Sequence, residues 1–271
     1  MLMIKNLNNG KADFFQGSKA VYTDMVIAAH HDDIEIMCPQ GIVKGYKSAV
    51  CGLVAVVMTD GAGSPRTGEY ASFTDEQMKT VRKEEQKEAA RIGDYAALHL
   101  LNYTSAEVKD FKFQNPTGDL AGLVSYYKPE TVFIHNLADK HKTHKASAFR
   151  AVKAIRSIPA GLRPKKLYGC EVWRSLDWLP DSEKIIFDVG GHDELLTRLI
   201  NVFRSQIGGG KRYDLAAQGR RFANATFGEY NSVDRAREVA FAMDLTPLIQ
   251  NDEIEPREYV LTLVNKFMNE L

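Results

Sequence analysis

Four consecutive residues, His30-His31-Asp32-Asp33, close the apolar run VIAA, and Glu35 follows just after them. A second group lies far along the chain in HNLADKHKTHKAS, where Asp139, His141 and His144 fall close together. Imidazole and carboxylate bind divalent metals of intermediate hardness. A hydrolytic zinc site takes three such ligands and leaves a fourth position open for water. It also needs a separate carboxylate or imidazole near that water to take up a proton. His30 and Asp33 stand three apart at a strand-to-helix turn, so together they can chelate one ion. His144, arriving from the second cluster, completes a set of two histidines and one carboxylate. Asp32 points away from its neighbour Asp33 and is free to deprotonate water. His141 and His144 are spaced i, i+3, so one helical turn puts them on one side. His141 then lies close to the ion without binding it, where it can steady an oxyanion or protonate a leaving amine. Any one of these side chains alone reads as a loop polar group at a strand end; two matched clusters point to a metal.

Two buried strands must deliver these clusters. Residues 21 to 29, VYTDMVIAA, read as a strand that ends at the first cluster, and TVFIHN reads as another that leads into the second. The β-branched run AVCGLVAVVMT (49 to 59) has the pattern of a strand covered on both faces. LHLLNY, KLYGCEVW and KIIFDV complete the expected strands. Between them, IEIMCPQGIVKGYKS has helical spacing, and Thr74 with Gln77 forms a capping box for a long helix closed at Gly93. LAGLVSYYKP reads as a helix stopped before Pro129, and another is expected from about Thr143 to Ser157. Helical patterns at 192–205, 212–224 and 256–269 follow. Alternating strands and helices predict an α/β fold with a mostly parallel sheet and helices on both faces. Ligands in such sheets bind beyond the carboxyl ends of the strands, so both clusters belong on one sheet edge. With no linker-like stretch, residues 1–271 are expected to form a single domain.

Composition narrows the function classes. Lys and Arg total 35 and Asp and Glu total 35, so net charge gives no reason to expect nucleic acid or an anionic membrane. Cys38, Cys51 and Cys170 are far apart, with no CxxC pair, which speaks against a disulfide framework or a thiolate zinc site and fits a reducing cytoplasm. MLMIKNLNNGKADFF carries too little apolar content for a signal peptide, and no stretch is long enough for a spanning helix.

AAHHDDIEIMCPQG resembles the AHPDDxE segment of the LmbE / PIG-L family of zinc-dependent N-acetylsugar deacetylases, and DKHKTH resembles that family's second motif, (D)xHPDH. VVMTDG and VRKEEQKEAARIG are similar to its second strand and its Arg-x-x-Glu helix, so the resemblance covers about residues 22 to 156. It implies a Rossmann-like domain with the active site at the carboxyl ends of the strands. Carried over residue by residue, it implies His30, Asp33 and His144 as metal ligands and Asp32 as general base. His141 would polarise or protonate the reacting group, and Arg82 would support the site or bind substrate. The implied cofactor is Zn2+, with Fe2+ as the other ion such a site accepts. The implied partner is a small N-acetylated sugar, without nucleic acid or membrane, in a chain that assembles as a homo-oligomer. The chain departs from the pattern twice. His31 replaces the usual proline and is expected to pack away from the ion, and Lys142-Thr143 replaces Pro-Asp, leaving Asp139 as a substitute orienting carboxylate.

Two other readings use the same residues. Two histidines and a carboxylate also describe the facial triad of non-haem iron oxygenases, although the spare base argues against redox work. A non-catalytic sugar-binding protein would need no general base at all. Asp60 and Gly61 read equally as residues facing the pocket and as a turn that ends the strand, His99 and His192 as structural residues, and Cys38 as a small packing residue. Trp173 and Trp178 read first as packing groups and second as a sugar platform. Loop 61–73 reads as a solvated loop or as a rim over the site. Arg212, Arg220 and Arg221 are expected first on a solvated helix face, and second with one of them reaching a substrate anion or a neighbouring subunit.

Overall fold

The computed structural model describes residues 4–228, 231 and 233–271, so part of the N-terminal stretch discussed above lies outside the described residues. Eight strands join in one sheet: β1 (Asp13–Gln16), β2 (Asp24–Ala28), β3 (Leu53–Thr59), β4 (Ala97–Tyr103), β5 (Thr131–His135), β6 (Lys166–Cys170), β7 (Lys184–Asp188) and β8 (Val239–Asp244). Their order is β1-β4-β3-β2-β5-β6-β8-β7. The central strands β4, β3, β2, β5 and β6 are parallel, while β1, β8 and β7 add antiparallel pairings at the two edges. The helices are α1 (Asp33–Met37), α2 (Pro39–Gly45), α3 (Asp75–Ile92), α4 (Ser105–Lys109), α5 (Asn115–Tyr127) and α6 (Lys142–Arg156), then α7 (Asp193–Asn201), α8 (Arg204–Ile207), α9 (Tyr213–Phe227), α10 (Thr246–Gln250) and α11 (Pro256–Met268).

The expected mostly parallel sheet with helices on both faces is what forms. Period-two alternation distributes β3 between two cores. Val54, Val56 and Met58 face α5, α6, α10 and α11, whereas Leu53, Ala55 and Val57 face α1, α2, α3 and α7. From β2 the chain builds outwards through β3 and β4, then returns to lay β5 on the other side of β2. That reversal makes β2 and β5 the switch point, where neighbouring crossovers leave in opposite directions and open a crevice beyond the strand ends.

The helix expected from Ile34 onwards is two helices. Pro39 lacks an N–H and restricts the residue before it, so the backbone turns at Cys38 (φ −125°, ψ 41°). Four elements escape sequence patterning, among them the five-residue α10. β1 and α4 are short, and β8, VAFAMD, combines alanines of weak strand propensity with a length that suits either state. The buried Arg150 of α6 ties α4 to the core by donating to the carbonyls of Glu107, Val108 and Asp110. Those bonds fix Ser105 and Lys109 at the mouth of the crevice.

Candidate metal centre

His30 to Asp33 follow β2, His135 ends β5, and His144 lies in the first turns of α6 after the loop that leaves β5. The switch point therefore brings both clusters together. His30 Nδ1 stands 3.2 Å from Asp33 Oδ2 and 3.1 Å from His144 Nε2, and His144 Nε2 stands 3.3 Å from Asp33 Oδ2. Three donors held about 2.0–2.1 Å from one tetrahedral ion lie roughly 3.3 Å apart, so this triangle has the spacing of a divalent-metal site. The charge states agree. Burial pulls His144 down to about 4, leaving a neutral ring with a free lone pair. Burial favours a neutral Asp33, but the facing His144 and His135 and the hydrogen bonding from His30 outweigh it and hold the carboxyl well below its usual range.

Two other triads overlap this one. Asp33–His135–His144 and His30–His141–His144 each bring their donor atoms within 4.8 Å of one another. His135 Nε2 already accepts the Ala29 N–H at 2.9 Å, so its lone pair is engaged, and its ring stacks on His144 at 4.0 Å. His141 packs edge-on against His30 at 4.9 Å and lies 4.5 Å from the His144 ring, with Nδ1 buried and unpartnered.

Asp139 organises the second cluster. Its Oδ1 accepts the His141 N–H at 2.7 Å, and its Oδ2 accepts the Trp173 N–H at 3.0 Å. Its Oδ1 also stands 3.7 Å from His144 Nδ1, facing the side of that ring opposite the triangle. Burial raises Asp139, but His144 and the His141 N–H more than offset this and bring it to about 2. A carboxylate behind a ligating imidazole fixes its tautomer and ring direction.

Asp32 has a left-handed backbone (φ 84°, ψ −26°), unusual for a residue with a side chain. Its N–H donates to Gln86 Oε1 at 3.1 Å, and its Oδ2 accepts from Arg82 Nη2 at 3.0 Å. Burial raises the Asp32 carboxyl to about 6, against the lowering effect of Arg82 and with further help from Asp33. Arg82, expected to support the site or contact substrate, is itself 2% exposed. It donates to the His31 carbonyl and Asp32 through Nη2, and to Glu85 and Ser205 through Nη1.

His31 is fully buried with both ring nitrogens unpartnered, and burial takes its pKa well below the usual histidine range. It packs against Gly61, whose φ of 79° and close approach leave little room for a Cβ: one would stand 3.0 Å from Arg82 Cβ and 3.1 Å from His31 Nδ1. Gly61 thus closes the floor of the site.

The clusters open on a cleft of about 380 Å³. Its walls include Asp32, Asp33, His141, Trp173, Gln206, Lys211 and Tyr213, with Gly63 to Pro65 of loop 61–73 at the rim. The Trp173 ring lies nearly parallel to His141 (18°) at 6.4 Å. Trp178 packs against the core, and His99 and His192 lie outside the site, at a Tyr127 contact and the start of α7. Arg221, expected on a solvated face, is buried against Glu238, because α9 turns that face towards β8. Sequence reasoning missed His135, Gln86, Gln206 and Lys211 as neighbours of the site. Only His135 carried a signal, as a histidine ending an otherwise apolar central strand.

The PIG-L family, described as GlcNAc-PI de-N-acetylase, matches residues 25–155, the segment from β2 into the last turn of α6. Over those residues the chain is similar to the PIG-L family. Among curated proteins, none matches the chain. Solved structures resemble the chain over most of its length. N,N'-diacetylchitobiose deacetylase from Pyrococcus horikoshii is 20% identical with a TM-score of 0.65, covering 84% of this chain and 85% of its own. The conserved protein TT1542 from Thermus thermophilus is 19% identical with a TM-score of 0.65, covering 86% and 98%. GalB, the 4-carboxy-2-hydroxymuconate hydratase from Pseudomonas putida, is 18% identical with a TM-score of 0.61, covering 83% and 96%. These likenesses establish a shared fold, and the fold carries both a deacetylase and a hydratase.

Proposed function

We propose that this chain is a metal-dependent N-deacetylase that releases acetate from an N-acetylglucosamine-like sugar or conjugate. The observation that carries the reading is the His30–Asp33–His144 triangle, with Asp32 beside it at the head of a cleft, inside the PIG-L segment. The likeness of residues 25–155 to the PIG-L family favours hydrolysis over hydration. The deacetylase fold neighbour, named for an acetylated disaccharide, supports a sugar substrate. All eight strands share one sheet, which supports treating residues 1–271 as one domain. Three free cysteines, and the lack among the described residues of a helix long and apolar enough to cross a membrane, support a cytoplasmic location.

In this reading His30, Asp33 and His144 hold the ion, zinc first and ferrous iron second. A divalent ion there supplies a Lewis acid for the amide carbonyl and makes water nucleophilic near neutral pH. Asp32, oriented by Arg82 and Gln86, takes the proton from the attacking water. His141 hydrogen-bonds the oxygen that gains charge and relays a proton to the sugar nitrogen, so that acetate leaves and an amine remains. Asp139 steadies His144 and the His141 backbone, and Arg82 anchors Asp32.

The test is acetate release from a panel of N-acetylated sugars by metal-loaded wild type and by Asp32→Asn. The variant is expected to keep its metal and lose roughly 10²–10⁴-fold in turnover. Full turnover in Asp32→Asn, or hydration of an unsaturated acid without acetate release by wild type, would overturn the proposal.

A further inference from the structure

The wall of the cleft around Trp173 is built differently from the metal end. The carboxylates lining the cleft are Asp32 and Asp33. The other charged groups on its walls are cations: Arg82, already engaged with Asp32 and Glu85, and Lys109 and Lys211. No carboxylate among the described residues lies within ion-pair distance of Lys109 or Lys211. The Lys211 ammonium stands 5.1 Å over the Trp173 ring, whose other neighbours are His141 and Tyr213.

Gln206 adds a second, independent feature. It is 4% exposed and lines the cleft, yet its Nε2 has no hydrogen-bond partner. Leaving a buried amide N–H without an acceptor is costly, so such a group is retained where something else supplies the acceptor. The turn after α8 brings Gln206 and Lys211 together: the Lys211 N–H donates to the Gln206 carbonyl at 3.0 Å, and Gly210 takes the left-handed conformation (φ 84°) needed between them.

We infer that Gln206, Lys211 and Lys109 form a donor subsite for an anionic substituent, a carboxylate or a phosphate, on the substrate. The inference rests on the deacetylase reading for the reaction it accompanies, but not for the binding itself. The sugar lies along Trp173 with its acetamide at the metal end. Its anionic group meets an amide donor and an ammonium that lack acceptors of their own. Charge-assisted hydrogen bonds of this kind are the stronger class. Lys109, on α4 across the mouth, adds a second positive charge that a neutral sugar would leave unused.

The test separates binding from turnover. Calorimetry on the full chain would compare N-acetylglucosamine with its 1-phosphate, its 6-phosphate and N-acetylmuramic acid, in wild type, Lys211→Glu, Lys109→Ala and Gln206→Leu. At least one anionic sugar should bind about tenfold tighter than the neutral one, with a preference that shrinks as salt rises. Lys211→Glu should abolish or reverse that preference, Gln206→Leu should reduce it several-fold, and Lys109→Ala should reduce it less. The phosphate and carboxylate arms identify which anion the subsite takes. Lys211 is partly exposed, so Lys211→Glu keeps the idea testable even if Gln206→Leu does not fold. Equal binding of neutral and anionic sugars, or a preference unchanged in Lys211→Glu, would overturn the subsite. Acetate release with no anion preference would remove the subsite and leave the deacetylase. Anion preference without acetate release from any sugar would do the reverse.

Discussion

Gln86 of α3 accepts the backbone N–H of Asp32 through Oε1 at 3.1 Å and so holds the candidate base in its left-handed turn. The amide is itself fixed: its Nε2 donates to Glu35 Oε1 at 2.8 Å, and that oxygen also accepts the Tyr95 O–H at 2.7 Å. Gln86, Glu35 and Tyr95 are all buried. A strained backbone of this kind persists only where its surroundings over-determine it.

Gln86→Leu should therefore lower kcat about tenfold or more, with KM and metal content unchanged, because it leaves the Asp32 N–H without an acceptor. Gln86→Glu alone should be worse, since it sets two buried carboxylates against each other. The exchange Glu35→Gln with Gln86→Glu restores the acceptor for the Asp32 N–H and the contact between positions 35 and 86, with the Tyr95 hydroxyl oxygen now accepting from the new amide, and should recover part of kcat. If the double variant is no better than Gln86→Glu, the brace does not position Asp32.

Metal analysis of purified protein should find about one divalent ion per chain, lost in His30→Ala and in His144→Ala. His135→Gln should retain the ion, because His135 Nε2 is engaged by the Ala29 N–H. Asp139→Asn should weaken metal affinity by about 10–100-fold, as loss of a carboxylate behind a ligating histidine generally does. Loss of metal in His135→Gln with retention in His30→Ala would move the site to the deeper triad.

Acid stability should report on His99, which is fully buried and bonded to Tyr127. Burial lowers its pKa from 6.5 to about 4. The unfolded chain thus binds a proton between these values that the folded chain refuses. The contribution is intact above about pH 6.5 and is lost as pH falls towards 4, by roughly 3 kcal/mol. Denaturant unfolding from pH 7 to 4 should show a shallower loss in His99→Gln than in wild type. Parallel curves would assign the acid sensitivity to other groups.

Gly61→Ala should destabilise by about 1–3 kcal/mol, from the positive φ and from a Cβ pressed on Arg82 and His31. Thermal unfolding would measure it. An unchanged Tm would mean that the floor of the site relaxes around a methyl group.

Much of this protein is legible in local pattern. β2, β3 and β5 are runs of apolar or β-branched residues, which only a strand covered on both faces accommodates in a chain of this type. The capping box at Thr74 and Gln77 forms as the spacing requires. The i, i+3 pairs His30–Asp33 and His141–His144 are local enough that sequence alone limits which groups can share an ion. β8 was not legible because its alanines have no strong preference; pairing with β6 and β7 decides its state.

What only the tertiary structure decided is contact between distant positions. His30 and His144 approach within 3.1 Å because strand addition switches sides at β2 and lays β5 parallel beside it, a choice set by packing across the whole sheet. The same packing sets Gln86 beside Asp32 and buries Arg221, and it brings Gln206 and Lys211 to the walls of the cleft. Side-chain type and short spacing determined which chemistry was available. Long-range strand order determined which residues perform it together, because spacing along a chain sets no distance once crossovers intervene.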